Sequence, residues 1–323
     1  MIGGGPRPDI SVVIPAFNAR ALLPVQLRAL NTQSDAPDFE VIVVDNGSTD
    51  GTGEVARSFA AEASYPLRVV RAAEHQGPGY ARNVGAGQAR ADLLMFADAD
   101  DVVSRWWIRS GKRAFETSFL WSGGATPMSE QEMRGDVEEV RARARDTDGW
   151  EPVRPGSLHE AFPVVMGCDF GCTRQAFEAI GGFDQSHGTA FEDNDFGLRA
   201  HRLGITVDHA PAVRIAYRVI PTFRAEAKRA LGQTNGHVLD VVRYGLERES
   251  ALPNPAEELA RTAVAAVLMA AGRRDRNWTA LGLRAAVATG LSRAWFRHRV
   301  LRRSPRPLIG LGYSAPSSLD SDL

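Results

Sequence analysis

Cysteine is scarce in this sequence, and its scarcity limits the kinds of site that the chain can build. Only two cysteines occur among the 323 residues, Cys168 and Cys172, with no second pair and no adjacent histidine. A disulfide framework is therefore excluded, and the pair falls short of the four ligands of a structural zinc site. We expect both side chains to be buried, reduced thiols, as is usual in a cytoplasmic protein.

The sequence also lacks an excess of charge of either sign. It carries 38 Lys and Arg residues against 39 Asp and Glu residues, for a formal net charge of −1. The molecule as a whole therefore has no electrostatic attraction for nucleic acid, and we expect no nucleic-acid partner.

Long apolar segments are absent as well. The longest candidate, residues 263–271, is about half of the roughly 20 residues that are needed to cross a bilayer. The first residues, Met1–Pro6, lack the basic and apolar regions of a signal peptide. The sequence predicts a cytoplasmic protein whose only membrane contact would be peripheral, at the inner membrane surface.

The first hundred residues alternate between apolar and helical stretches. The apolar runs, which are rich in β-branched residues, cover residues 10–15, 40–45, 67–70 and 92–97. The helical stretches cover about 20–33, 51–62, 78–90 and 104–116. Continuous apolar runs of this length suit strands that are buried on both faces of a parallel sheet. The pattern predicts a doubly wound α/β fold, in which ligands bind at the carboxyl ends of the strands.

The chain beyond residue 155 is mixed at first and then helical. In the mixed part, the pattern predicts a helix near 191–203 and strands near 205–208 and 212–217. Residues 221–303 have a helical pattern, and residues 304–323 are rich in Pro, Gly and Ser. We expect this last segment to be a poorly ordered tail.

The first two predicted strands end in residues that suit a nucleotide. Pro15, Ala16 and Asn18 belong to a turn whose backbone can approach a base or a ribose. Asp45 ends the second strand and can accept the imide N–H of uracil or a similar base. Ser48 and Asp50 can also cap the helix that follows them, and for these two residues turn chemistry alone is expected rather than ligand contact.

The fourth predicted strand ends in the run Asp98-Ala99-Asp100-Asp101, called here the acidic run. Three carboxylates within four residues repel one another and cost stability unless a cation binds them. Mg²⁺ and Mn²⁺ prefer oxygen ligands and keep coordination positions for phosphate oxygens. An acidic triplet can also cap a helix, but its place at the end of a buried strand favours a metal site.

A glycine-rich segment, residues 77–87, lies upstream of the acidic run. Its glycine spacing does not fit a dinucleotide fingerprint, and no first strand precedes it. The segment is interpreted as a loop that enters a helix, with Arg82 and Asn83 in the first turn. Arg82 then has three alternatives: contact with a diphosphate, an ion pair that holds the aspartates, or a solvated surface position.

The second half concentrates acidic residues beside glycine and aromatic residues, at 181–184 (GGFD) and 191–199 (FEDNDFGLR). Acidic residues in the first turn of a helix interact favourably with its dipole. The same residues also suit a site that needs a general base. The residues alone leave both interpretations open.

Taken together, these elements resemble the inverting glycosyltransferases of family 2, whose GT-A fold is a Rossmann-like, mostly parallel sheet flanked by helices. The matching segments are 11–18, 41–51, 81–85, 96–101, 181–184 and Glu192-Asp193 with Arg199. The resemblance implies a GT-A catalytic domain at residues 9–220, after a flexible N-terminus at 1–8 and before a helical C-terminal extension at 221–303. Within it, 9–101 would be the nucleotide-binding half and about 156–220 the acceptor half.

The resemblance also implies roles for individual residues. Nucleotide-sugar contacts would come from Pro15, Ala16, Asn18, Asp45, Arg82, Asn83 and Asp98. Asp100 would be the chief ligand of Mn²⁺ or Mg²⁺, with Asp98 and Asp101 as further ligands. Asp193 would be the general base, and Glu192 its neighbour in the acceptor site.

Two departures from the family pattern matter. Processive polysaccharide synthases of the family carry a Gln-x-x-Arg-Trp element and membrane helices, and this sequence contains neither. Some metal-dependent members carry a downstream histidine ligand, where this sequence reads Ile215-Ala-Tyr-Arg218. The nearest histidine, His209, is expected to be a loop residue rather than a ligand, which leaves the third metal ligand unassigned.

The implied reaction moves one sugar from a nucleoside-diphosphate sugar, with UDP favoured, to an acceptor hydroxyl with inversion. A metal-dependent nucleotidyltransferase is one alternative, but it would need an early lysine in a triphosphate loop, and the first lysine is Lys112. A catalytically inactive nucleotide-binding scaffold is another, and the intact Asp100 and Asp193 speak against it.

The C-terminal region has a basic segment, residues 293–306, with no acidic residue between Asp275 and Asp320. Its arginines are Arg293, Arg297, Arg299, Arg302, Arg303 and Arg306, and its apolar residues include Trp295, Phe296, Val300 and Leu301. A basic amphipathic helix can lie on an anionic membrane, which would suit a lipid-linked acceptor. The sequence favours the alternative, a packed helix with a solvated basic face or a homodimer contact.

Overall fold

The structure is a computed structural model that describes residues 7–156, 164–250, 252–273 and 275–315. The chain divides into two compact units. The first comprises the chain up to Gly188, Asp193–Val219 and the segment from Leu308, and the second comprises Thr189–Glu192 and Ile220–Pro307. Within the described ranges, no helix is long and apolar enough to span a membrane.

One mixed sheet forms the centre of the first unit. Its strands are β1 (Ile10–Ala16), β2 (Phe39–Asp45), β3 (Leu67–Arg71), β4 (Leu93–Ala97), β5 (Val102–Val103), β6 (Leu120–Ser129), β7 (Asp169–Thr173) and β8 (Asp208–Val219). They lie in the order β3-β2-β1-β4-β7-β6-β8-β5. The first four in this order are parallel, as predicted. β7 is inserted antiparallel between β4 and β6, and β5 is antiparallel to β8.

Among the described residues, seven α-helices accompany the sheet along the chain. They are α1 (Leu23–Asn31), α2 (Thr52–Phe59), α3 (Pro78–Gln88), α4 (Trp107–Ala114), α5 (Val137–Arg143), α6 (Arg174–Ile180) and α7 (Glu192–Arg202). The second unit contains α8 (Phe223–Tyr244), α9 (Pro255–Ala270) and α10 (Trp278–Trp295), which continues as a π-helical turn at Phe296–Val300. The predicted helical C-terminal extension is therefore confirmed.

The four predicted strands are confirmed because their apolar residues are covered on both faces of the sheet. Val12 packs in one core cluster and Val13 in the other, and both are fully buried. Helix α3 lies so close to β1 that a Cβ atom at Gly85 would come within 2.3 Å of a Val13 methyl group. Glycine at this position therefore permits the close packing of helix and sheet.

The segment after residue 303 differs from the poorly ordered tail predicted from its composition. Leu308 donates its N–H to Asp184 Oδ1 at 2.8 Å, and Gly310 donates to the Phe183 carbonyl at 3.0 Å. The Tyr313 hydroxyl donates to Glu178 at 2.6 Å. The backbone N–H groups of Leu308 and Gly310 and the hydroxyl group of Tyr313 thus hold residues 308–313 within the first unit. Residues 316–323 lie outside the described residues.

Two smaller expectations can also be compared with the structure. Cys168 and Cys172 are buried free thiols, as predicted, and burial raises the pKa of both. At the predicted flexible N-terminus, residues 1–6 lie outside the described residues, but Arg7 Nε donates to the Arg90 carbonyl at 2.7 Å. The chain is therefore tethered from Arg7 onward.

Candidate active site

The acidic run lies in the short connection between β4 and β5, and a buried glutamine on α1 anchors both ends of it. Gln26 Nε2 donates to the Asp98 carbonyl at 3.2 Å, and Gln26 Oε1 accepts the Val103 N–H at 3.1 Å. Gln26 is fully buried. The backbone that carries the three aspartates is therefore anchored before any ligand binds.

Arg82 holds the first aspartate of the run. Its Nη2 donates to Asp98 Oδ1 at 2.9 Å, and only 2% of Arg82 is exposed. Of the three alternatives left open by the sequence, the ion pair with the aspartates is the observed one, and the solvated surface position is wrong. Arg82 lies five residues into α3 (Pro78–Gln88) and thus beyond the predicted first turn.

The electrostatic surroundings of Asp98 work against its ionisation. Burial raises the pKa of this carboxyl group, Arg82 lowers it, and the nearby Asp100 and Asp193 raise it again. The net shift is upward, because the single guanidinium does not outweigh burial and two like charges. Asp98 therefore lies in a region of excess negative charge.

Arg218 binds the other two aspartates of the run. Its Nε and Nη2 both donate to Asp100 Oδ2, at 3.1 and 3.0 Å, and its backbone N–H donates to Asp101 Oδ1 at 2.9 Å. The antiparallel pairing of β5 with β8, in which Val102 faces Ala216, brings Arg218 to this place. In the sequence, residues 215–218 stand out only because they lack the histidine ligand of some family members. The contacts of Arg218 with the acidic run could not be predicted from this.

Asp101 is the most deeply buried member of the run, at 2% exposure. Its Oδ2 has no hydrogen-bond partner among the described residues. Burial, followed by the charges of Asp98 and Asp100, raises the pKa of Asp101 well above its ordinary value. A buried carboxylate oxygen without a partner is costly unless a further positive group approaches it.

Asp193, in the first turn of α7, lies at the same site. Its Oδ2 accepts the Gly167 N–H at 3.1 Å, and its Oδ1 accepts the Asn194 N–H at 2.8 Å. The Gly167 carbonyl in turn accepts Arg82 Nη2 at 2.9 Å. A continuous hydrogen-bonded path therefore joins Asp193 to Asp98 through Gly167 and Arg82.

Glycine is required at position 167 because there is no room for a side chain, not because of its backbone conformation. A Cβ atom at this position would lie 2.9 Å from Arg82 Nη2 and 3.0 Å from Asp193 Oδ2. Any larger residue would press on both side chains. Gly167 is a site residue that the sequence patterns did not reveal.

The residues around the acidic run fit a divalent cation. Asp98, Asp100, Asp101 and Asp193 supply four carboxylates, whereas Arg82 and Arg218 supply two guanidinium groups. The buried Asp101 Oδ2 also lacks a partner among the described residues. A divalent ion held by carboxylate oxygens would balance the remaining charge.

A second cluster of residues that could bind a metal ion forms hydrogen bonds and ion pairs within the protein. Asp184, His187 and Asp195 are buried, with ligand atoms within 4.8 Å of one another. However, Arg199 Nε donates to Asp195 Oδ2 at 2.8 Å, and Asp184 accepts the Leu308 N–H. These bonds indicate a structural role for this cluster.

The residues predicted to contact the nucleoside lie together at the carboxyl ends of β1 and β2. Ala16 pairs with Asp45 across the two strands, and Pro15 precedes Ala16 in β1. Asn18 donates its N–H to Ser48 Oγ at 3.1 Å, which joins the two loops. Asp45 Oδ1 accepts the Ser48 N–H at 2.9 Å, so Asp45 has a turn role that its position alone did not require.

Asn83 is predicted to contact the nucleotide sugar, but the structure gives it a different role. It is fully buried, its Nδ2 donates to the carbonyls of Phe183 and Leu311 at 3.0 Å, and its Oδ1 accepts the Phe183 N–H at 2.8 Å. These bonds occupy the amide group and hold the segment after residue 308. Asn83 is thus a structural residue.

His209 lies near the start of β8 and not in a loop, and its N–H donates to the Arg154 carbonyl at 2.9 Å. Ala216, which pairs with Val102, is seven positions further along the strand. At about 3.3 Å per residue, His209 is therefore roughly 20 Å away from the run along the strand. This distance excludes His209 as a ligand beside Asp100. Glu192 is buried and is the first residue of α7.

The chain matches known proteins over the part that contains this site. The model of the family described as "Glycosyl transferase family 2" matches residues 11–181. An uncharacterized glycosyltransferase, YfnE of Bacillus subtilis, is 41% identical over 106 residues, which are 33% of this chain and 26% of that protein. Validoxylamine A glucosyltransferase of Streptomyces hygroscopicus subsp. limoneus is 32% identical over 234 residues, which are 61% of this chain and 49% of that protein. The chain thus spans from about a quarter to about half of the length of these relatives.

A solved structure shows the same fold over most of the chain. It is the mannosyltransferase PcManGT of Pyrobaculum calidifontis in complex with GDP-Man and Mn²⁺, with a TM-score of 0.59 and 21% sequence identity. The superposition covers 90% of this chain and 88% of that chain.

Proposed function

The chain belongs to glycosyl transferase family 2 and is a glycosyltransferase of the GT-A fold, and we propose that it transfers one sugar from a nucleoside-diphosphate sugar to an acceptor hydroxyl with inversion. The observation that carries this proposal is the path from Asp193 through Gly167 and Arg82 to Asp98. It joins a carboxylate suited to proton removal to an acidic run suited to the donor's diphosphate. One reaction centre needs both functions.

The acidic run is the donor side of the proposed site. Asp100, with Asp98 and Asp101, would hold Mn²⁺ or Mg²⁺, and the ion would stabilise the negative charge that develops on the leaving nucleoside diphosphate. Both side-chain hydrogen bonds that the structure describes between Arg218 and Asp100 involve Oδ2. Arg218 thus balances part of the charge of Asp100 and would leave Oδ1 for the ion.

Asp193 is the proposed general base. Its carboxylate takes the proton of the acceptor hydroxyl as that oxygen forms a bond to the anomeric carbon of the sugar. On the opposite face, the bond from that carbon to the diphosphate oxygen breaks, and the nucleoside diphosphate leaves with the electron pair. The N–H groups of Gly167 and Asn194 orient the carboxylate for this step. Glu192, the preceding residue in α7, is proposed to contribute to acceptor binding.

The nucleoside is proposed to lie over the ends of β1 and β2. Pro15, Ala16, Asn18 and Asp45 lie there together, and Asp45 offers a carboxylate to the imide of a uracil base, so we favour a UDP-sugar. PcManGT was solved with GDP-Man and the Streptomyces relative is named a glucosyltransferase, so the sugar and the base both need to be tested.

The donor is identified by incubating the purified chain with UDP-, GDP- and dTDP-sugars and measuring the nucleoside diphosphate released, with Mn²⁺ or with EDTA. We expect slow hydrolysis of one donor class, because water can replace the acceptor, and we expect EDTA to abolish it. Release of pyrophosphate from a nucleoside triphosphate would instead indicate a nucleotidyltransferase. Absence of any turnover with the whole panel would contradict the proposal.

A further inference from the structure

The basic segment, residues 293–306, presents an unusual surface on the second unit. Helix α10 and the π-helical turn pack through Leu291, Ala294 and His298, which are 2% exposed each. These three residues follow one another at intervals of three and four, so they form a single buried stripe. Most of the other residues of the segment are exposed.

The large apolar residues of the segment are among these exposed residues. Trp295, Phe296, Val300 and Leu301 are 45%, 54%, 47% and 45% exposed. The helix is thus packed and has a solvated basic face, as the sequence favours, but its large apolar side chains are not those that pack. Four large apolar side chains that remain half exposed within residues 295–301 indicate a binding surface.

The exposed residues of the segment also carry a strong positive charge. All six arginines of the segment are exposed. In the part of the chain that the structure describes, Arg299 forms an ion pair with Glu247 at 3.1 Å, and no ion pair is formed by the other five. A homodimer through this surface would bring two arginine-rich faces together, since a two-fold contact pairs a patch with itself. An anionic partner fits the surface better.

A cleft opens beside these arginines. Its volume is about 460 Å³, and it is lined by Leu231 and Asn235 of α8 and by Arg293, Phe296 and Arg297. Arg293 and Arg297 are four residues apart, so they lie on one side of the helix. The cleft thus combines two guanidinium groups with an apolar wall, which suits a phosphate that is attached to a lipid.

We propose that the basic segment binds the surface of an anionic phospholipid membrane. The arginines contact lipid phosphates, one of which occupies the cleft, while Trp295 and Phe296 insert between the headgroups. Aromatic residues are favoured at this depth, and each basic residue near the surface adds to the binding energy. This inference stands independently of the proposed function, because it rests on the second unit alone.

The test is co-sedimentation of the full chain with phosphatidylcholine vesicles, with or without 30 mol% phosphatidylglycerol. We expect binding only to the anionic vesicles, with an affinity that falls as salt is added. The triple variant Arg297→Gln, Arg302→Gln, Arg303→Gln should bind roughly 100-fold more weakly, on the basis of the contribution of each basic residue near an anionic surface. The double variant Trp295→Ser, Phe296→Ser should bind roughly 10-fold more weakly, because exposed aromatic surface no longer leaves water.

Two matched control variants test whether a loss of binding is specific to the basic segment. They reproduce the change in net charge and the change in exposed apolar area at other positions. Arg229→Gln, Arg248→Gln, Arg273→Gln removes the same charge at exposed positions elsewhere. Val264→Ser, Val267→Ser changes side chains that are 58% and 66% exposed on α9. Both controls should bind like the wild type, and thermal unfolding should show that all variants are folded. Equal binding by all variants, no binding by the wild type, or a dimer that the arginine variant converts to monomer in light scattering would overturn the proposal.

Discussion

The substitution Asp193→Asn should lower turnover of the donor sugar by roughly 10²–10⁴-fold, the usual contribution of a general base. Asparagine has the same shape, and its amide oxygen can still accept the Gly167 N–H that Asp193 accepts at 3.1 Å. It cannot, however, take a proton from the acceptor. Donor affinity should therefore stay nearly unchanged, because the path from Gly167 to Arg82 and Asp98 is preserved.

Turnover is measured from steady-state release of nucleoside diphosphate, and donor affinity from titration calorimetry. The matched control is Asp275→Asn, the same change at an exposed position of the second unit. It should behave like the wild type. If Asp193→Asn kept more than about a tenth of wild-type turnover, a general-base role would be excluded. A large loss of donor affinity would instead place Asp193 on the donor side.

The second large effect is expected from Asp100→Asn. A metal ion supplies several kcal/mol of transition-state stabilisation, so loss of its chief ligand should lower turnover by at least roughly 100-fold. Binding of Mn²⁺, followed by its electron paramagnetic resonance signal, should weaken in parallel. Asparagine still offers Arg218 an oxygen in place of Asp100 Oδ2, so the fold should be retained.

The control for this change is Asp35→Asn. Asp35 also pairs with an arginine, Arg109, at 3.0 Å, but it is exposed and belongs to no part of the proposed site. It already has a φ of 50°, which asparagine tolerates well. If the wild type binds Mn²⁺ and Asp100→Asn binds it equally well, the metal site does not include Asp100 and the proposed site at the acidic run is contradicted.

The sequence was sufficient to predict the parallel part of the sheet, because those strands are uninterrupted apolar runs. It was not sufficient for β6 and β7, whose residues include Ser, Gly, Pro and Asp. Glycine is present there because neighbours leave no room: a Cβ atom at Gly171 would lie 2.3 Å from the Trp121 ring. Because such packing depends on a partner strand, no pattern in the local sequence predicts it.

The candidate site also contains residues that could be predicted from the sequence and residues that could not. Residues at strand ends, such as Asp45 and Asp100, could be predicted because parallel strands bring their carboxyl ends to one edge of the sheet. Arg218 and Gly167 could not, because their importance lies in contacts with residues that are distant in sequence. Asn83 was misassigned for a related reason: its partner Leu311 belongs to a segment that composition alone suggested to be poorly ordered.

The most direct test of the central proposal, inverting transfer at a site shared by Asp193 and the acidic run, is the configuration of the first product. Hydrolysis of the accepted α-linked nucleotide sugar is followed by proton NMR at early times, before the free sugar equilibrates between its anomers. The proposed single displacement predicts that the β-anomer appears first, and that Asp193→Asn suppresses its formation. Initial formation of the α-anomer would contradict the account.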